Sequence, residues 1–364
     1  MAAATNNPLA GSVNSGPSVS CVVLTIAGLK VNVYGLSKLP EGASKISCLW
    51  LHHPRLRSKD DMTNIADQIL TAYHQESSPE RGLIAVAFDQ RNHGSRLVDA
   101  RANDDWRSGN PTHAQDMFGI ITGTVVDTMH LLDLIEGHLF GAGDGPGAAS
   151  NGAKRHIDQN LILGVSLGGH TAWQLLFADP RVTAGVMVIG CPDYSYLMKD
   201  RARLSKLQTF MEKDGQSFFG SKDFPDALIK ACNKYDPRSI LFNSRDKAIS
   251  TKDSATLRPV LDSRVSKKRF LVLSGGADKL VPYRISEPFM QFFKIATNSW
   301  YADGGIYVED NVYPGVGHEF NADMRRDAVR FVLDTVALAD GVKEAEASKE
   351  APREAPKEIA SPKI

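Results

Sequence analysis

Short apolar runs alternate with helical stretches along most of this 364-residue chain, and that alternation limits the folds open to it. The apolar runs lie at 19–26, 29–34, 46–51, 83–88, 161–165, 185–189, 270–273 and 306–313, and most are rich in β-branched residues. Such runs suit strands buried on both faces, where neither side-chain direction meets water. Helical periodicity occupies 61–74, 113–138, 168–178, 286–294 and 323–339. The pattern predicts an α/β fold: a mostly parallel eight-stranded sheet with helices on both faces. The first two runs break only at Gly28, so the sheet is expected to begin with an antiparallel pair.

Two segments interrupt the alternation. Residues 141–153 are rich in Gly, Ala and Ser and read as a flexible insertion before the fifth strand. Residues 193–265 are too long for a connection and bring Phe210, Phe218, Phe219 and Phe224 within reach of one another. A small helical lid inserted after the sixth strand is expected there, dividing a core at 19–192 and 266–340. The ends, 1–18 and 341–364, have little to bury and are expected to be unstructured. The tail carries five Lys or Arg, five Glu and three Pro.

Lys and Arg total 42, matched by 42 Asp and Glu. Phosphate neutralisation supplies most non-specific nucleic-acid affinity, so a neutral chain argues against nucleic acid as a partner. The 37 cations and 37 anions left after removing the tail keep the body neutral too, which points to a largely uncharged small-molecule substrate. No apolar run, Leu83–Phe88 included, is long enough to be read as a membrane span. Cys21, Cys48, Cys191 and Cys232 form no CxxC pair, and the first twenty residues hold no Lys or Arg. Reduced thiols and a cytoplasmic location are expected. The terminal Ser361-Pro-Lys-Ile364 only loosely resembles a peroxisomal signal.

The sharpest local signal is Gly164-Val-Ser166-Leu-Gly168-Gly169, which follows an apolar strand and opens into a helix. A serine on such a turn is held in a strained conformation with its hydroxyl exposed above the sheet. Small residues two before and two after it let the backbone turn without a Cβ clash. The helix N-terminus then directs N–H groups at a developing oxyanion. Ser166 is therefore the candidate nucleophile, and it needs a base and an orienting acid.

Of the ten histidines only His170 and His318 follow Ser166. His170 lies on the helix one turn beyond the serine, where packing is the expected role. His318 sits in the loop Tyr313-Pro-Gly-Val-Gly-His318-Glu after the last strand and is the candidate base. Asp278 follows the strand Phe270–Leu273 through Ser-Gly-Gly-Ala and is the candidate acid. Asp193, after the sixth strand, is its competitor; Asp303 and Asp310 fall before or inside the last strand.

Together Ser166, Asp278, His318 and the strand order resemble the α/β-hydrolase fold superfamily, over about residues 19 to 340. Asp89-Gln-Arg-Asn-His93-Gly94 also resembles that superfamily's Asp-x-Arg-x-His-Gly stretch, which there shapes the scaffold, so His93 is not read as catalytic. The resemblance implies an oxyanion hole built from the Leu167 amide and the loop after the third strand. Relatives often place His-Gly in that loop, whereas this chain has His53-Pro54, and proline offers no N–H. The Arg55 amide becomes the preferred second donor, followed by His53. The implied activity is a serine hydrolase cleaving a small to medium ester, lactone or thioester with no cofactor. An amide hydrolase, a lyase on the same residues and a non-catalytic binding protein are the alternatives. No HExxH or His-x-His-x-Asp pattern supports a metal, and the glycines at 141–147 miss the dinucleotide pattern.

Overall fold

The structure is a computed structural model that describes residues 7–11, 19–76, 81–141, 145–152, 154–242, 249 and 254–339. The tail at 341–364, most of the N-terminal segment and parts of 141–153 and 193–265 lie outside the described residues.

All eight expected strands form: Cys21–Ile26 (β1), Leu29–Tyr34 (β2), Lys45–His52 (β3), Arg81–Phe88 (β4), His156–Val165 (β5), Val182–Val188 (β6), Arg269–Gly275 (β7) and Tyr307–Tyr313 (β8). They make one sheet in the order β1-β2-β4-β3-β5-β6-β7-β8. Strand β2 runs antiparallel to both β1 and β4, and the other neighbours pair in parallel. Ile26 faces Leu29 across the first turn, leaving Ala27 and Gly28 with φ of 50° and 79°. Two successive positive φ values give the turn whose twist matches that of the strands.

The central strands are buried along nearly their whole length, as their unbroken apolar runs require; β8, at the sheet edge, is half-exposed. One face is covered by Thr63–Glu76 (α1) and Ala322–Leu338 (α10), which place Ile65, Ile69, Met324 and Phe331 in one apolar cluster. The other is covered by His113–Phe140 (α2), Leu167–Ala178 (α3), Ser254–Arg264 (α8) and Tyr283–Asn298 (α9) around Trp50, Trp173 and Phe270. By length and composition alone α2 could cross a membrane, although polar residues interrupt its apolar runs and half of its most apolar stretch is buried in the protein. Here Met117 and Ile121 pack under the helical insertion, and Val125, Leu131, Ile135 and Leu139 pack on the sheet.

The insertion after β6 contains Tyr194–Leu204 (α4), Gln208–Met211 (α5), Asp226–Tyr235 (α6) and Pro237–Phe242 (α7), followed by α8. Its first part joins Leu197, Met198, Phe210, Phe218 and Phe224 to Leu167 and α2 in a third cluster. Leu241, Phe242, Leu257 and Leu261 instead enter the main core.

Residues 7–11 depart from the unstructured N-terminus expected at 1–18. Leu9 is 4% exposed, and the Phe320 N–H donates to the Pro8 carbonyl at 2.8 Å. One leucine suffices there because the Phe320–Met324 surface offers it an apolar seat. The Asp89 loop has the scaffold role implied by the resemblance. Its carboxylate accepts from the Lys59 N–H at 2.8 Å, the Ser95 N–H at 2.9 Å and the Ser95 hydroxyl at 2.7 Å. All four cysteines are free thiols.

Candidate active site

The turn from β5 into α3 carries Ser166 at φ 56° and ψ −110°, a conformation that non-glycine residues rarely hold. Its neighbours explain how the turn is tolerated. A Cβ on Gly164 would come within 1.9 Å of the Gly168 carbonyl oxygen, and one on Gly168 within 2.1 Å of that of His52. The Ser166 N–H donates to the Val188 oxygen at 2.9 Å, so the strained residue is still tied into the sheet.

Strands β7 and β8 carry the acid and the histidine on two loops that are hydrogen-bonded to each other. The Gly276 N–H donates to the Tyr313 oxygen at 2.9 Å and the Ala277 N–H to the Val316 oxygen at 2.8 Å. Asp278 is buried, and its Oδ1 accepts from the Leu280 and Val281 amides at 2.8 and 3.0 Å. That leaves Oδ2 for His318, whose Nδ1 lies 2.7 Å away. With Nδ1 donating to the carboxylate, Nε2 is free to accept the Ser166 hydroxyl proton at 2.9 Å. Burial alone would raise the Asp278 pKa. The His318 hydrogen bond and charge, with the Val281 and Leu280 amides, outweigh it and hold the group below its ordinary value.

Leu167 is the first residue of α3, so its N–H has no intrahelical acceptor. The Arg55 N–H has no acceptor among the described residues, and Arg55 and Leu167 line the same cavity as Ser166. The His53 ring is engaged elsewhere. The Gln90 N–H donates to its Nε2 at 3.0 Å, so the ring proton sits on Nδ1 and is donated to the Pro54 oxygen at 2.8 Å. Burial pushes its pKa down to about 4.

The remaining candidates are separated from this relay. Asp193 caps α4 by accepting from the Tyr196 N–H at 3.1 Å and pairs with Arg238 at 3.3 Å. Asp303 pairs with Arg258 at 2.8 Å, and Asp310 accepts from the Tyr283 hydroxyl at 2.6 Å. His170 packs on α3 and takes the Cys191 N–H at 3.0 Å. The His93 Nδ1 lies 2.9 Å from the Arg91 oxygen.

A cavity of about 300 Å³ opens over Ser166 and His318. The Arg55 side chain lines it rather than extending only into solvent, and Trp106, His113, Met117 and Arg201 line it too. The reading of the sequence missed Arg201, although a signal existed. Tyr194, Leu197, Met198 and Ala202 mark the buried stripe of α4, and position 201 falls at the stripe's next turn. A cation on an apolar stripe calls for a partner that the helix does not itself provide.

No family model matches the chain, and no curated protein matches it by sequence. Among solved structures, TT1662 from Thermus thermophilus matches over 87% of this chain and 97% of its own, with 20% identity and a TM-score of 0.53. A puromycin-hydrolysing peptidase from Mycobacterium tuberculosis matches over 89% of this chain and 40% of its own at 14% identity, TM-score 0.48. Est1E from Butyrivibrio proteoclasticus matches over 87% and 99% at 15% identity, TM-score 0.43. The likeness is one of fold, and the eight-strand order with its strained serine turn is the same evidence seen from within: this chain has the α/β-hydrolase fold.

Proposed function

We propose that this protein is a serine hydrolase acting on a small carboxylic ester, or a lactone or thioester, through an acyl-enzyme. The observation that carries the reading is the continuous relay Ser166 Oγ–His318 Nε2 at 2.9 Å and His318 Nδ1–Asp278 Oδ2 at 2.7 Å, opening into a cavity. The buried His53, His93, His113 and His170 each direct Nδ1 at a backbone oxygen, whereas His318 links a carboxylate to a strained serine.

In this mechanism Ser166 Oγ attacks the acyl carbon while His318 Nε2 takes its proton. Asp278 keeps the ring in the required tautomer and stabilises the imidazolium. The Leu167 amide, with the Arg55 amide as second donor, stabilises the oxyanion. The tetrahedral species collapses as His318 returns the proton to the leaving oxygen. Water, deprotonated by the same Nε2, then attacks the acyl-serine and releases the acid. Helix α4 of the insertion, which brings Arg201 and Leu204 to the cavity, serves as the lid that narrows it.

The test is turnover of 4-nitrophenyl acetate by the wild type and Ser166→Ala. The wild type is expected to hydrolyse it with saturation, and Ser166→Ala to lose about 10⁴-fold or more in kcat. Full activity in Ser166→Ala would sink the reading.

A further inference from the structure

Arg55 and Arg201 reach the cavity beside Ser166 from unrelated parts of the chain, the loop after β3 and helix α4. Neither has an ion-pair partner among the described residues. Arg55 donates through Nη1 to the Asn103 carbonyl at 2.7 Å. Arg201 places Nη1 3.1 Å from Met117 Sδ and 3.4 Å from His113 Nε2, and Nη2 3.2 Å from the Leu280 oxygen. Their other guanidinium N–H groups have no partner among the described residues.

Arg155 shows how a structural arginine without a carboxylate is accommodated in this fold. It is buried and donates to three backbone carbonyls, those of Ala43, Gly147 and Pro40. Arg81 and Arg238, also buried, each face an aspartate. Two half-buried guanidinium groups held together in a cavity with neither arrangement carry unused charge and unused donors. Arg107 and Lys279 add positive charge at the same cavity, and Asp105 is its one carboxylate among the lining residues. That carboxylate accepts from the Ser108 N–H at 2.8 Å instead of closing on either arginine. Burial, followed by the Arg55 charge, pulls the Arg201 pKa down to about 10, a penalty that a bound anion removes.

We propose that Arg55 and Arg201 recognise a free carboxylate on the substrate, so that the ester attacked by Ser166 belongs to a small molecule bearing a second, ionised carboxyl group. A guanidinium pairs with a carboxylate through two parallel hydrogen bonds, and two guanidinium groups in a cavity of about 300 Å³ fix one end of such a molecule. The inference rests on the serine hydrolase reading and names its substrate class. It reverses the uncharged substrate expected from overall neutrality. Net charge averages the whole surface, whereas the cavity samples only a few residues.

Matched esters test the proposal. The monoanion of mono(4-nitrophenyl) adipate and its methyl ester share a leaving group and chain and differ in the terminal charge. The pair 4-acetoxybenzoate and methyl 4-acetoxybenzoate places the charge on the leaving side. For at least one pair, the ratio of kcat/KM for the acid to that for the methyl ester should favour the acid about tenfold or more in the wild type. Arg201→Met and Arg55→Leu should each lower that ratio about tenfold or more, and Arg201→Lys should recover part of it. No preference for the acid in either pair, or a ratio unmoved in both variants while circular dichroism shows them folded, overturns the proposal. Calorimetric binding of adipate against dimethyl adipate to Ser166→Ala separates the two readings. Adipate selectivity without turnover of any ester keeps the anion site and rejects the hydrolase, whereas turnover with no selectivity does the reverse.

Discussion

The floor of the cavity and its wall are built on different principles. The floor is the C-terminal edge of a parallel sheet, where Ser166, Asp278 and His318 follow β5, β7 and β8 within a few residues of each strand end. Ser166 is bonded to β6, Asp278 accepts two amides of its own loop, and that loop is bonded to the one that carries His318. The wall comes from the loop after β3, the N-terminal turns of α2 and helix α4, and its two arginines are held by neutral groups: Arg55 by one carbonyl, Arg201 by a thioether, a ring nitrogen and a carbonyl. Under the proposed function, the floor performs the chemistry and the wall the recognition. A change in the floor should therefore act on kcat, and a change in the wall on discrimination between substrates.

The largest effects are expected at the floor. His318→Ala, like Ser166→Ala, should reduce kcat by about 10⁴ to 10⁶-fold with the fold intact, read by steady-state kinetics beside circular dichroism. Asp278→Asn should reduce kcat by about 10⁴-fold, because an amide can donate to the ring nitrogen and so hold the wrong tautomer. If Asp278→Asn were nearly as active as the wild type, orientation by the acid would not matter and the contrast between floor and wall would fail.

Gly168→Ala probes why the floor is rigid. Its Cβ would lie 2.1 Å from the His52 carbonyl oxygen, so β3 and α3 must separate. Chemical denaturation should show a loss of about 1 to 3 kcal/mol or more, and kcat should fall as the Leu167 amide shifts. Unchanged stability would mean that the close approach of β3 and α3 is not a constraint.

The smallest effect concerns how the insertion is anchored behind the wall. Burial, then the neighbouring Asp193 charge, pushes the Asp236 carboxyl above its ordinary pKa. Asp236 accepts the Tyr194 N–H at 2.9 Å at the start of α4. A carboxyl whose pKa rises on folding stabilises the fold below its unfolded value of about 4, and that contribution is lost as pH climbs through the folded value. Thermal stability should therefore decline as pH rises above about 4, and Asp236→Asn should flatten that decline. A decline of equal slope in the variant would remove Asp236 as its cause.

The same contrast explains what could be read from the sequence. Each strand is a local apolar run, so all eight were legible, and Ser166, His318 and Asp278 sit within loops attached to those runs. The placement of β4 between β2 and β3 depends on crossover packing that no single segment encodes, so only the resemblance to the α/β-hydrolase fold, and no local pattern, could supply it. Leu9 was missed for a related reason: its burial needs the Phe320–Met324 surface, more than three hundred residues away in sequence. Arg201 belongs to the wall, and only the packing of Leu197, Met198 and Ala202 beside Leu167 brings it over the serine. Overall neutrality could not show the arginines that line the cavity, since it says nothing of which side chains share it.

The account stands or falls on Ser166 being the nucleophile made reactive by His318. Treating the wild type, Ser166→Ala and His318→Ala with a fluorophosphonate probe and locating the adduct by peptide mass spectrometry tests this directly. Stoichiometric modification of the wild type at Ser166 is expected, with none in Ser166→Ala and labelling slowed by orders of magnitude in His318→Ala. No adduct on a folded wild type, or labelling of His318→Ala at the wild-type rate, would contradict it.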